Sequence, residues 1–179
     1  TKQIVENRIS YGEKYLFSPV TAEKYDGIEA IANADYDKAI TALQADRNNN
    51  PTDPETLIYL NNAYIKNREP YTIAVSVPIG TDPNSSSEIL RGVAQAQDEI
   101  NQDGGINGKR LKVAIANDDD NPKIAQQVAW ALVKNSKVLG VIGHTASDLT
   151  LTAGAIYDGK LVAISPTSTS VKLTSFRPY

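Results

Sequence analysis

The chain has 179 residues, 41% of them hydrophobic and 22% charged, with a formal net charge of -3. This is ordinary globular composition, and the lack of any Lys/Arg cluster argues against a nucleic-acid surface. There are no cysteines and no methionines, which excludes disulfides, thiolate metal sites and cysteine nucleophiles.

No apolar run approaches the ~20 residues of a membrane span, and no secretory signal segment is visible at the start. Without an initiator methionine, the expectation is a processed chain or a piece of a longer gene product. An exported protein of this sequence would already have lost its targeting segment.

Up to about Arg68 the pattern is helical. "YDKAITALQADR" (36–47) places Ile40 and Leu43 on the face of Ala39. "DPETLIYLNNAYI" (53–65) opens with Asp53 as N-cap and Pro54 at the first helical position, and Leu57, Leu60 and Tyr64 then fall on one stripe. "NNNPTDP" between the two is a turn with helix-start chemistry.

This region resembles a tetratricopeptide repeat over roughly residues 20–67. Gly27, "ADYDKAI", Pro51 and "DPETLIYLNNAY" carry the resemblance, while Asn61 departs from it, because a small residue is usual there. About one and a half of the ~34-residue units are present, and stable arrays need about three. The segment is therefore expected to lean on the rest of the protein. It could also serve as a docking module for a protein partner.

From Tyr71 the pattern changes. "YTIAVSVPI" (71–79) reads as a buried strand. "SSSEILRGVAQAQDEIN" (85–101) follows as a helix, with Ser85 and Glu88 at capping-box spacing and Ile89, Val93, Ala96 and Ile100 as its buried stripe. "RLKVAIAND" (110–118) is the next strand. "NPKIAQQVAWALVKN" (121–135) is a helix capped by Asn121 with Pro122 behind it. "KVLGVIG" (137–143) is a third strand, "SDLTLTAGAIYD" (147–158) a third helix and "KLVAISP" (160–166) a fourth strand. Alternation of this kind predicts an α/β fold, a doubly wound parallel sheet covered on both faces, with the helical segment (1–69) ahead of it (70–179). Ligands bind such sheets beyond the carboxyl ends of the strands. Those ends are "GTDPNSSS", "DDDNP", "GHTASD" and "SPTSTS".

Three motifs invite chemistry. "DGGINGKRLKV" (103–113) fails as a phosphate loop: its glycine spacing is one residue short, Arg110 stands where a hydroxyl should bind magnesium, and the loop leaves a helix instead of a strand. Gly104 and Gly105 read as a helix C-cap and turn. "DDD" (118–120) lacks the spaced oxygens and glycine of a calcium loop and reads as a turn leading into Asn121. No metal site and no dinucleotide cofactor is expected. "GHTASD" (143–148) contains the only histidine and has the residue types of a hydrolase triad. A nucleophile, its base and an orienting carboxylate usually converge from separate elements, however, and adjacent residues of one turn diverge. The same stretch suits binding. Ser147 sits at a helix N-terminus, where free N–H groups and the dipole favour a carboxylate. Thr167 and Thr169 in "SPTSTS", with main-chain carbonyls, suit an ammonium. Together the loops suit an amino-acid zwitterion.

Residues 71–173 resemble the first lobe of a type I periplasmic binding protein, nearest to the branched-chain amino-acid receptors of ABC transporters. "IAVSVPIG", "ILRGVAQAQDEINQDGGINGKRLKV", "DDDNPKIAQQVAWALV", "VLGVIGHTASDLT" and "LVAISPTSTSVKL" carry the resemblance, in order, over about 100 residues. A helical repeat ahead of the lobe is similar to the arrangement in cyanobacterial members. The resemblance implies Ser147, with Ala146 beside it, at the ligand carboxylate, and Thr167 and Thr169 at the ammonium. It also implies a contact near Ser85, where relatives often present an aromatic, and a loop-shaping role for His144. The chain ends at "SFRPY" (175–179), about where the family crosses to its second lobe, so the expectation is a fragment with half a site.

The implied function is an extracytoplasmic solute receptor for amino acids or similar zwitterions. It would be non-enzymatic, with an ABC permease as partner and no cofactor. A ligand-binding sensory domain of a signalling receptor is the alternative.

Overall fold

The computed structural model describes residues 5 and 7–175. The end of the stretch "SFRPY", residues 176–179, lies outside them. Three helices come first: α1 (Ala22–Ala32), α2 (Tyr36–Asn49) and α3 (Pro54–Ile65). The strands and helices then alternate as the sequence pattern predicts. They run β2 (Tyr71–Val77), α4 (Pro83–Gln102), β3 (Leu111–Asn117), α5 (Pro122–Lys134), β4 (Val138–Ile142), α6 (Ser147–Tyr157) and β5 (Val162–Ile164). A strand the sequence did not announce, β1 (Ile9–Ser10), precedes them all. Two residues are too few to display an alternating pattern.

The sheet order is β1-β3-β2-β4-β5, with β1 antiparallel to β3 and every other pair parallel. Alternation along the strands sorts the core into two layers. Val75, Val77, Val113 and Ile115 face α4 and the three N-terminal helices. Ala74, Ala114 and Ala116 face α5 and α6 through Val128, Leu132 and Ala153. The small side chains on that second face allow a helix to lie close to the sheet.

Three sequence expectations need correction within the helices. The capping residue of α4 is Asp82, not Ser85. Pro83 occupies the first helical position, and the Ser85 N–H donates to Asp82 Oδ1 at 3.1 Å. The stripe in α4 is also displaced, because its fully buried positions are Ser86, Leu90, Ala94, Gln97 and Asn101. In α3, Leu60 of the expected stripe is buried together with Ile58, Tyr59 and Ala63, while Tyr64 is 39% exposed. That helix is covered on several sides, so no single apolar stripe defines it.

The buried amides have a clear purpose. The Asn62 side chain donates to the Val113 carbonyl (2.8 Å) and accepts from the Val113 N–H (3.1 Å). Asn101 does the same for Leu111, donating to its carbonyl at 3.0 Å and accepting its N–H at 2.7 Å. Gln97 links the two, donating to Asn62 Oδ1 and to the Leu111 carbonyl. Further along, β1 pairs with Ile115 and Ala116. Side chains and a two-residue strand thus close the outer edge of β3, which would otherwise present unpaired backbone groups. Asn61, the position that departs from the repeat pattern, donates to Asp98 on α4 at 2.9 Å. An amide here docks the helical segment, which a small residue could not do.

Within the helical segment Lys24 is 2% exposed and bridges Asp53 and Glu55, each at 2.7 Å. Glu55 also accepts the Leu16 N–H at 2.6 Å. Burial works against the Lys24 charge, but Glu55 and Asp53 outweigh it and raise its pKa.

Two substitutions test these contacts. Asn62→Ala orphans both backbone groups of Val113, at about 1–3 kcal/mol each, so urea unfolding should show a loss of at least about 2 kcal/mol. Lys24→Ala leaves the Glu55 carboxylate buried and unpaired, and the same measurement should show a loss of about 3–5 kcal/mol.

Candidate functional site

The carboxyl ends of the parallel strands gather four loops at one end of the sheet. At their centre lies a fully buried polar chain. Asp118 follows β3, and His144 follows β4; they are 0% and 1% exposed. His144 Nδ1 lies 2.6 Å from Asp118 Oδ2, and Nε2 lies 3.1 Å from the Tyr157 hydroxyl at the end of α6. The Ser76 hydroxyl in β2 donates to the same Asp118 oxygen at 2.9 Å. A carboxylate only accepts, so Nδ1 carries the proton and Nε2 accepts from Tyr157. Burial, and then the Asp118 charge, pushes the Tyr157 hydroxyl far above the usual phenol range, which keeps it a donor.

This arrangement contains serine, aspartate and histidine, yet it differs from a nucleophile relay. A relay places the serine on one imidazole nitrogen and the carboxylate on the other. Here Ser76 and Nδ1 share one carboxylate oxygen, and Nε2 goes to a phenol. All three groups are closed off from solvent. The chain of bonds ties β2, β3, β4 and α6 together beneath the loops. Gly143 completes the packing: its φ is +134°, and a Cβ there would come within 2.6 Å of the Ser76 carbonyl.

Above this floor two loops are bonded to each other. The His144 carbonyl accepts from the Thr150 and Ser165 hydroxyls, both at 2.8 Å. Thr167 donates to the Thr145 carbonyl at 2.8 Å. The Ser147 and Ser168 hydroxyls are 2.9 Å apart. Ala146, not Ser147, is the N-cap of α6, and no side chain caps that helix. Ser147 is therefore the first helical residue, half-buried, with its hydroxyl turned to the facing loop.

Of the residues expected at a site, the structure brings Ala146, Ser147 and Thr167 onto facing loops. Thr169 is exposed on the second loop, and its hydroxyl has no partner among the described residues. Ser85 stands apart in the first turn of α4, and no hydrogen bond joins it to either loop. Its hydroxyl and N–H hold the Asp82 carboxyl below the usual carboxylate range. Ser165 and Ser168 were missed by the sequence reading. Their only signal is position: a hydroxyl directly after β5 is placed to meet the loop from the neighbouring strand.

The residues from 70 to 177 match the model of a family described as periplasmic binding proteins. An amino acid binding protein of Pseudomonas aeruginosa is 38% identical over 96 residues, 53% of this chain and 26% of its own length. The Leu/Ile/Val-binding protein homolog 1 of Brucella abortus is 32% identical over 105 residues, 57% of this chain and 28% of its own. Among solved structures, an ABC transporter substrate-binding protein from Desulfitobacterium hafniense, in complex with Leu, superimposes with a TM-score of 0.55. It is 34% identical, and the match covers 60% of this chain and 31% of that one. The chain thus spans between about a quarter and a third of the length of these relatives. The helices α1–α3 precede the matched residues.

Removing the phenol that supports His144 tests the buried chain. Tyr157→Phe leaves Nε2 without a donor in a closed site and should cost about 1–3 kcal/mol in denaturant unfolding. Histidine ring signals in NMR should shift, while those of the distant Lys24 cluster stay in place.

Proposed function

The chain belongs to the periplasmic binding protein family, and on that premise we propose that it forms part of an extracytoplasmic receptor for amino acids. The reading rests chiefly on one observation: the uncapped first turn of α6 lies beside the hydroxyl-rich loop after β5. Free N–H groups at a helix N-terminus, reinforced by the dipole, suit a carboxylate. The Ser147 hydroxyl is positioned to add a donor once a ligand displaces its contact with Ser168. Thr167, Thr169 and the main-chain carbonyls of residues 165–169 suit the ammonium end of the same zwitterion. Ala146 shapes the turn that exposes the helix N-terminus. Ser85 would contribute from the first turn of α4, which follows β2.

The names of the relatives favour leucine, isoleucine or valine as the solute and an ABC permease as the partner. His144 and Asp118 take no part in chemistry under this reading; they hold the loop that carries Ser147.

L-leucine titrated into the isotope-labelled chain should move the amide signals of residues 143–150 and 165–170. Leucinol, which lacks the carboxylate, should leave the 143–150 group unmoved. A charge-assisted hydrogen bond is worth about 1.5–3 kcal/mol, so Ser147→Ala should weaken binding roughly tenfold to a hundredfold. Equal responses to leucine and leucinol would overturn the assignment of α6 to the carboxylate.

A further inference from the structure

Away from these loops, a cavity lies where the N-terminal helices meet α4. It has a volume of about 450 Å³ and is lined by residues of α2, α3 and α4 together with Arg110, which leads into β3. Its size falls within the range of small-molecule sites. The apolar part of its wall is the stripe Leu57, Leu60 and Tyr64, of which Leu60 is buried and Tyr64 is the most exposed.

Two guanidinium groups line it, Arg47 from the last turn of α2 and Arg110. Both side chains are half-buried, and neither makes an ion pair or side-chain hydrogen bond among the described residues. Three other cations in this part of the chain are paired, Lys24 with Glu55, Lys66 with Asp37 and Arg91 with Glu88. With Arg47 and Arg110 against the single carboxylate of Asp98, the charged side chains lining the recess are net positive, which attracts anions. Guanidinium groups match the planar fork of a carboxylate.

Arg47 also lines a neighbouring recess, whereas Arg110 does not. Leu57 and Leu60 supply the apolar surface of that cavity. Asp98 also faces the recess, with its oxygens accepting from Asn61 (2.9 Å) and Gln102 (2.6 Å). Its charge offsets part of the positive charge of the two arginines, which disfavours an occupant with more than a few negative charges.

We propose that this cleft binds a short aliphatic dicarboxylate, with one carboxylate on Arg47, the other on Arg110 and the methylene chain against Leu57 and Leu60. The site is independent of the amino-acid loops, and it gives the helical segment a role in binding as well as in covering the sheet edge.

Glutarate is the probe. In an NMR titration of the isotope-labelled chain, the side-chain Nε–H signals of Arg47 and Arg110 should both shift and saturate. Monomethyl glutarate should bind about tenfold more weakly, for want of one charged pair. Arg47→Gln and Arg110→Gln should each weaken glutarate binding by a similar factor, with thermal unfolding midpoints unchanged because both side chains are partly exposed. L-leucine should leave both arginine signals in place, so the result stands or falls separately from the receptor reading. The proposal is overturned if glutarate moves neither signal, if inorganic phosphate binds as tightly, or if an acidic peptide such as tetraglutamate binds more tightly than glutarate.

Discussion

The outer edge of β3 is the constraint on which the rest of the architecture depends. A parallel sheet needs both faces and both margins protected, and an open strand edge leaves backbone donors and acceptors without partners. This chain closes the edge by three means in sequence. The Asn101 amide takes Leu111, the Asn62 amide takes Val113, and β1 takes Ile115 and Ala116. Two of these three come from the residues ahead of the lobe. The helical segment is therefore bonded to the sheet through main-chain atoms as well as packed on it.

That arrangement explains why polar residues fill the buried face of α4. Gln97 and Asn101 stand where an amphipathic helix would ordinarily carry leucine or isoleucine. The Asn101 amide bonds through both its nitrogen and its oxygen, and the Gln97 nitrogen makes two hydrogen bonds, contacts that a hydrocarbon could not make. A single core then runs from Ile28 and Leu43 through Tyr59 to Val75 and Ile115. The cleft with Arg47 and Arg110 follows from the same docking. Helices α2, α3 and α4 line the recess, and Asn61 on α3 is hydrogen-bonded to Asp98 on α4 within its wall.

At the opposite end of the sheet a different economy operates. His144, Asp118, Ser76 and Tyr157 are buried and bonded to one another, so they supply rigidity to loops whose exposed parts are hydroxyls and main-chain groups. The stretch "GHTASD" divides accordingly. His144 belongs to the floor, Ser147 to the surface above it, and Asp148 is an exposed acid in the first helical turn. Its three chemically suggestive side chains serve three separate purposes.

Much of this was legible in the sequence. Strand content, helix periodicity and caps at Asp53 and Asn121 are local properties, set by side-chain size and by the first few backbone N–H groups of each helix. They fixed the order of elements from Tyr71 onward and the loops at which a ligand would meet the sheet. The family resemblance rested on the same residues. Asp82 was overlooked as a cap because Ser85 and Glu88 offered a plausible local alternative. Other features required the folded chain. The pairing of Asp118 with His144 spans 26 residues, that of Asn62 with Val113 spans 51, and β1 is too short to carry a pattern of its own. Such contacts depend on which surfaces the packed helices and strands bring face to face, and no local spacing encodes that. The sequence by itself determined what each element would be and which loops would share one end of the sheet. Only the tertiary structure decided which polar residues would be buried as mutual partners and which would remain free for a ligand, because that choice is made by distance in the folded molecule.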